Sequence, residues 1–351
     1  MKFEGTTKEM YQAFRFIKGN YTKKQLETVT LAIEATENSV TLISVGEEAY
    51  YRTEVKGVNV LETGIMQADF AFIEALSDRL NATPIEVFGY DETLYAFIDE
   101  IERVDGTGFE VDMALDALQP LAVIGYEDAT SLLTELLSST AKTARTFTDT
   151  LLLRLRKGQL NGRSISMQAV VTNSIQVETD NQGVVDMYLT KTQAQTINKA
   201  IKLMDKKQPF TILKGEEQMG FSSNGDAVVL LHKTADVGMP DITQLMKRCA
   251  SLSPEQAVRV EVAAWKKELT QLQKDTSEED RDTLKQGLAI DGTFTNQPEE
   301  AHVFIDVKAT LKLFRSISAK QVNLSFFDQA IVFCYETETR KHSSVLMTGK
   351  E

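Results

Sequence analysis

The sequence predicts an α+β protein in which one domain is built three times, each copy holding two helices packed on antiparallel sheets. Three observations predict it. One hydrophobic pattern recurs three times at a spacing of about 120 residues, the size of a domain rather than of a solenoid repeat. Within each copy the apolar residues switch from a helical period to alternation, so helices and exposed-face strands follow one another. A length of 351 residues lets each of three domains bury its own core.

The pattern is an apolar strand ending in a small or polar residue, an amphipathic helix, then alternating strands joined by a polar turn. It reads GIMQ-ADFAFIEALSDRL-NATPIEVFGYDETLYAFI from Gly64 and DMYL-TKTQAQTINKAIKLM-DKKQPFTILKGEEQMGFSS from Asp186. From His302 it reads HVFI-DVKATLKLFRSI-SAKQVNLSFFDQAIVFCYE. Each copy also has an earlier half. In the first copy the alternating MKFEG opens a folded domain, and the helix TTKEMYQAFRFIKGN follows. Its Met10, Phe14 and Ile17 fall at i, i+4 and i+7 and form one apolar stripe. The strands VTLAIEATENSVTLISV, turning at Glu37-Asn38, and AYYRTEVKGVNVLE come next. The second copy starts with the helix DATSLLTELLSSTAKTARTF, then LLLRLRKGQL and SISMQAVVTNSIQVETD. In the third, VRVEVAAWKKELTQLQKD is a strand running into a helix, and Trp265 near the helix start reads as core sooner than as an interface anchor. The stretch TSEEDRDTLKQGLAIDGTFTNQPEEA then leaves room for one strand, LAIDGTFT, so this copy is shortened. The boundaries fall at residues 1–121, 122–251 and 252–351, the last at the polar SLSPEQ.

The chain carries 38 Lys and Arg against 51 Asp and Glu, a net charge of −13, which taken as a sum argues against nucleic acid. The charge is better read by face. The expected helix Lys191–Lys207 carries Lys191, Lys199, Lys202, Lys206 and Lys207 against Asp205. The expected helix Lys308–Lys320 carries Lys308, Lys312, Arg315 and Lys320 with no acid. Lys8, Arg15, Lys18, Lys142, Arg145, Lys266, Lys267 and Lys274 decorate the earlier helices; the helix from Asp69 is the acidic exception. One charged helix face is ordinary solvation. The same class of element made cationic in every copy of an acidic protein is a track for a phosphate backbone, on a body that repels nonspecific DNA. These helices carry few aromatics for base stacking, so base readout is not indicated.

Little supports catalysis, a cofactor or a metal. His232, His302 and His342 form no HExxH or His-Cys cluster. GxxxxGK[ST], GxGxxG and GxSxG are absent. The acid pairs Glu47-Glu48, Asp91-Glu92 and Glu278-Glu279 fall in turns or loops, where solvation accounts for them. Cys249 and Cys334 lack CxxC spacing and read as reduced, buried thiols of a cytoplasmic protein. No apolar run reaches the roughly 18 residues of a membrane span, and the start has no signal-peptide core.

Taken in order, these segments resemble the bacterial DNA polymerase III β-subunit, the sliding clamp family. MKF with its helix, LAIEATENSVTLISV and GIMQADFAFIEAL resemble the family's first domain. Gly158–Gly162, GQLNG, resembles its YLNG turn, and Val170–Glu178 stands in the place of its VATDGHRLA strand. Gly238–Met246 resembles its GxFPDYxxLIP segment, and Val345–Met347 its VVMPM tail. The likeness spans the chain and thins between residues 252 and 300. It implies a head-to-tail homodimer whose six domains close around double-stranded DNA and slide on sequence-independent phosphate contacts. It also implies that linear peptides of a DNA polymerase and a clamp loader enter an apolar pocket. By position that pocket comprises Leu160, Thr172, Ser174, Ile175, Val177, Pro240, Leu245, Met246, Val345, Leu346 and Met347, suited to Leu and Phe anchors. Phe109 and Leu272 are placed at the dimer interface.

Departures from the family concentrate on that pocket. Its Gly-His-Arg is here Ser174-Ile175-Gln176, the tail reads MTGKE without its proline, and Ala309 replaces a tyrosine. These changes point to a clamp of a phage or mobile element with its own peptide. The shortened third copy keeps a second reading open: a clamp-like protein that forms no ring and acts as a regulator or decoy of replication factors.

Overall fold

The computed structural model describes residues 1–351 apart from 27, 91–92, 100–101, 108–117, 141–147, 217, 233, 243, 246, 248–256, 282, 328–329 and 349–351. A strand leading directly into a helix occurs six times among the described residues. Lys2–Thr6 leads into Thr7–Asn20, Gly64–Ala68 into Phe70–Ala75, and Gln119–Ile124 into Tyr126–Ser139. Val184–Thr190 leads into Lys191–Ile201, Val258–Glu261 into Val262–Asp275, and Val303–Asp306 into Val307–Ser316. Five of the six are followed by a three-stranded antiparallel meander. Among the described residues the fifth is followed only by Lys285–Leu288 and the two-residue Phe294–Thr295. The early and late halves of the first two copies are therefore the same motif, which the early half of the third repeats in reduced form.

Side chains set the helix starts. Thr6 and Glu9 form a reciprocal capping box, and Thr190 with Gln193 does the same through bonds of 3.0 and 3.1 Å. Asp69 accepts from the Phe72 N–H at 2.6 Å and Asp306 from the Ala309 N–H at 2.7 Å. The stripe Met10, Phe14 and Ile17 is buried, as its spacing predicts. Trp265 belongs to the core, packed between Phe294, Phe314 and Phe333 with ring centroids 4.7 to 5.7 Å away.

Each leading strand pairs with the meander of the other half of its copy. Lys2–Thr6 pairs with Pro84–Tyr90 while Gly64–Ala68 pairs with Thr30–Ala35. Gln119–Ile124 pairs with Phe210–Lys214 while Val184–Thr190 pairs with Thr150–Arg156. Val258–Glu261 pairs with Gln321–Phe327 while Val303–Asp306 pairs with Lys285–Leu288. This exchange makes the halves interdependent, because removing one would bare a sheet edge in the other.

The chain forms two compact units, residues 1–126 with 196–233 and residues 127–195 with 234–351. In the first, Asp226–Leu230 pairs with Ala49–Val55 and joins two meanders into an eight-stranded sheet beside a five-stranded one. In the second, Ala169–Gln176 pairs with Arg340–Met347 and builds another eight-stranded sheet beside a three-stranded one. The middle repeat thus contributes one meander to each unit.

Four expected elements differ. The helix from Asp69 stops at Ala75, because the Asp78 carboxylate captures the N–H groups of Leu80 and Asn81 in a local turn. The helix from Lys191 stops at Ile201, so Lys202, Lys206 and Lys207 sit in the turns that follow; Asp205 accepts from the Lys207 N–H. The helix from Val307 ends at Ser316, short of Lys320. LAIDGTFT is a tight turn between short strands rather than one strand. Gly292 adopts φ +81°, and Asp291 accepts from the Thr293 N–H and hydroxyl.

Candidate functional site

The expected DNA-facing cations divide into two groups. Lys8, Arg15, Lys202, Lys206, Lys308 and Arg315 are exposed, with Lys206 Nζ 5.7 Å from the Tyr126 ring centre. A second group bonds to helix ends. Lys199 donates to the Asn20 carbonyl at 2.8 Å, Lys312 to the Thr140 carbonyl at 2.8 Å, and Lys266 to the Ile317 carbonyl at 3.3 Å. Those carbonyls end the helices Thr7–Asn20, Tyr126–Ser139 and Val307–Ser316, where a cation complements the helix dipole. Burial pushes the Lys266 pKa down. Lys18 pairs with Glu74 at 2.7 Å and lies over the Phe14 and Phe70 rings. Lys142 and Arg145 lie outside the described residues, as do Phe109 and Met246. Leu272 is half-buried on the Val262–Asp275 helix.

The expected peptide pocket falls on the sheet of the second unit, and strand alternation splits it between two faces. Leu160, Ile175 and Leu346 are 0 % exposed and point to the buried face. Thr172, Ser174 and Val345 occupy the other face. There, Ile165, Val170, Ala330, Val332 and Val345 form an apolar cluster covered by Ile242 and the partly buried Leu245. The segment around Pro240, itself exposed, therefore closes over the apolar patch. Val177 is half-buried; Met347 is exposed at the rim.

What stays open on this face is lined largely by polar and charged residues, whose aliphatic stems contribute much of its surface. A cavity of about 400 Å³ is lined by Leu152, Arg154, Asn161, Arg163, Thr172, Ser174, Lys341 and Ser343. Arg154 grips Asp186 with two bonds of 2.6 and 2.7 Å, and Lys341 pairs with Glu336 at 2.7 Å. Arg163 is half-buried, and burial lowers its pKa; nearby Arg154 adds to this, while Asp241 and Asp186 oppose it. Sequence reasoning missed Arg154, Arg163 and Lys341, although their parity with Asn161, Thr172 and Ser343 places them on one face.

Beneath the same strands lies a buried ionic network. The wholly buried Glu135 carboxylate accepts from the Tyr335 hydroxyl, with His342 Nδ1 at 2.8 Å and Arg340 Nη2 at 3.8 Å. His342 also contacts Asn173 Oδ1 at 3.0 Å and Ser344 Oγ at 2.5 Å. Burial alone would raise the Glu135 pKa, but His342, Arg340 and Tyr335 outweigh it and hold it below the usual carboxylate range. Burial beside this carboxylate pushes the Tyr335 hydroxyl up. Cys334 is a free, half-buried thiol whose pKa burial raises. Cys249 is not among the described residues. No described group of three His, Cys, Asp or Glu is placed to hold a metal, and no helix is long and apolar enough to cross a membrane.

The sequence matches no protein-family model and no curated protein. Solved structures match over the whole length. The DNA polymerase III subunit beta of Pseudomonas aeruginosa superposes with a TM-score of 0.78 at 13% identity, covering 100% of both chains. The chain has the sliding-clamp fold. The DNA polymerase sliding clamp of Bacillus subtilis gives a TM-score of 0.78 at 10% identity, covering 100% of this chain and 99% of that one. The beta subunit from DNA polymerase of Streptococcus pyogenes gives 0.78 at 11%, with 100% of both covered. At such identities the sliding-clamp fold is carried by hydrophobic period and strand pairing rather than by retained side chains.

Proposed function

We propose that this chain is a processivity clamp, a scaffold without chemistry of its own. Two copies close head to tail around duplex DNA and tether a replicative polymerase, a clamp loader delivering the ring. The observation that carries this reading is a clamp fold matched from end to end. Exposed cations on the helices and the turns after them support it, supplying the weak, salt-screened phosphate contacts a sliding ring needs. The topological link, not tight binding, would hold the complex together. Peptides would dock on the polar trough of the second unit beside the Met347 rim.

The test is retention on DNA of defined topology. Loaded onto nicked circular duplex by the clamp loader of its source organism, the labelled chain should survive a high-salt wash and run off once the circle is cut. Loss at one rate from circular and linear DNA would sink the ring. The reduced fifth motif favours a second reading, a non-ring regulator that binds replication factors. It predicts peptide binding with no topological retention.

A further inference from the structure

We propose that Arg163 is a carboxylate-binding anchor that makes the trough selective for a peptide with an acidic side chain. The inference rests on the trough being the peptide site and adds the chemistry of the peptide. Arginine presents five N–H donors in a fixed fork and has no acceptor of its own. Among the described residues, the Arg163 side chain makes no hydrogen bond or ion pair, whereas Arg154 and Lys341 hold Asp186 and Glu336. The half-buried guanidinium has lost part of its hydration without gaining a hydrogen bond or ion pair among the described residues; Asp241 and Asp186 only partly offset the burial that lowers its pKa. A carboxylate arriving in the trough would supply a two-pronged acceptor.

The surroundings choose among anions. Asp186 and Asp241 lie within electrostatic reach of Arg163 and would repel a phosphate chain, which brings a charge every few ångströms. One carboxylate flanked by neutral residues brings a single charge and meets less of this repulsion. Strand register sets Arg163 opposite Thr172, and Thr172 opposite Ser343, so hydroxyls are placed beside the bound group. The apolar patch alongside is already filled by Ile242, which removes the deep site for an aliphatic anchor. An apolar residue of the peptide would reach the exposed rim instead, at Met347, four positions past Ser343 and about 13 Å along the strand. The peptide is then extended, with an acid and an apolar residue about four positions apart.

Two fluorescein-labelled, C-terminally amidated peptides test this, Gly-Asp-Ser-Leu-Ser-Leu-Phe and the same peptide with Asn for Asp. Fluorescence anisotropy on the full chain should show the Asp peptide binding about tenfold tighter, the scale of one charge-assisted hydrogen bond. Arg163→Met should erase the preference and Arg163→Lys should keep part of it. A purely structural arginine would instead lower the melting temperature when replaced, while an uncompensated one leaves it unchanged or higher. Equal affinity of the two peptides for the unmodified chain overturns the proposal but leaves the trough a peptide site. Binding of neither overturns both. The unmodified chain decides the matter even if a variant fails to fold.

Discussion

Glu135 sits wholly buried at the helix-facing side of the seam between Ala169–Gln176 and Arg340–Met347, and only its donors make that position tolerable. Tyr335, His342 and Arg340 converge on one carboxylate, while among the described residues Arg340 Nε and Nη1 already lack hydrogen-bond partners. Removing the carboxylate would strand a buried cation, so Glu135→Leu should cost about 3–5 kcal/mol in urea denaturation. A loss below about 1 kcal/mol would mean the network is not ionised as drawn. The pH dependence has a fixed sign. Because the folded-state pKa is depressed, this stabilisation is present above the ordinary carboxylate value of 4.5 and is lost as pH falls through the folded value. The melting temperature of the unmodified chain should therefore fall more steeply below that pH than that of Glu135→Leu.

Helices and strands were legible in the sequence to different depths. Apolar stripes found the helices, and the capping residues Thr6, Asp69, Thr190 and Asp306 stand where the starts require them. Their ends were harder, because the Asp78 and Asp205 turns compete with helix only through local side-chain bonds. Strand parity was legible but mixed in assigning the pocket. The family likeness groups Leu160, Ile175 and Leu346 with Thr172, Ser174 and Val345, though alternation sends the two sets to opposite faces. The sequence could not show that Ile242 covers the apolar patch, since that contact depends on how a loop folds back. The helix cations, too, have two jobs that look alike in sequence. Lys199→Ala and Lys312→Ala remove cations from helix ends and should lower stability by about 0.3–1 kcal/mol. Lys8→Glu with Arg315→Glu should leave melting unchanged but weaken DNA association and flatten its salt dependence. Thermal melts paired with a salt titration separate the two; equal loss of DNA association in both sets would dissolve the distinction.

In the proposed ring, closure would follow from how the chain joins its own sheets. The last strand of the first meander, Ala49–Val55, pairs with the last strand of the fourth, Asp226–Leu230. The last strand of the third, Ala169–Gln176, pairs with the last strand of the sixth, Arg340–Met347. By the same rule the second meander, ending at Glu102–Thr107, would pair with the fifth in a partner copy. The fifth is the reduced one: among the described residues its sheet ends at the two-residue Phe294–Thr295. A junction missing its third strand forfeits backbone hydrogen bonds and must rely more on side chains, Leu272 on the adjoining helix being the expected contact. The dimer should accordingly be weak and concentration-dependent. Light scattering behind size exclusion should give a mass near twice 39.2 kDa at micromolar protein, falling toward one chain on dilution. Leu272→Asp should give one chain throughout, since a charge buried without a partner costs several kcal/mol. A dimer that survives Leu272→Asp would move the interface elsewhere on the third repeat. One chain at every concentration for the unmodified protein would instead leave the missing strand as the mark of a clamp fold that does not close on its own copy.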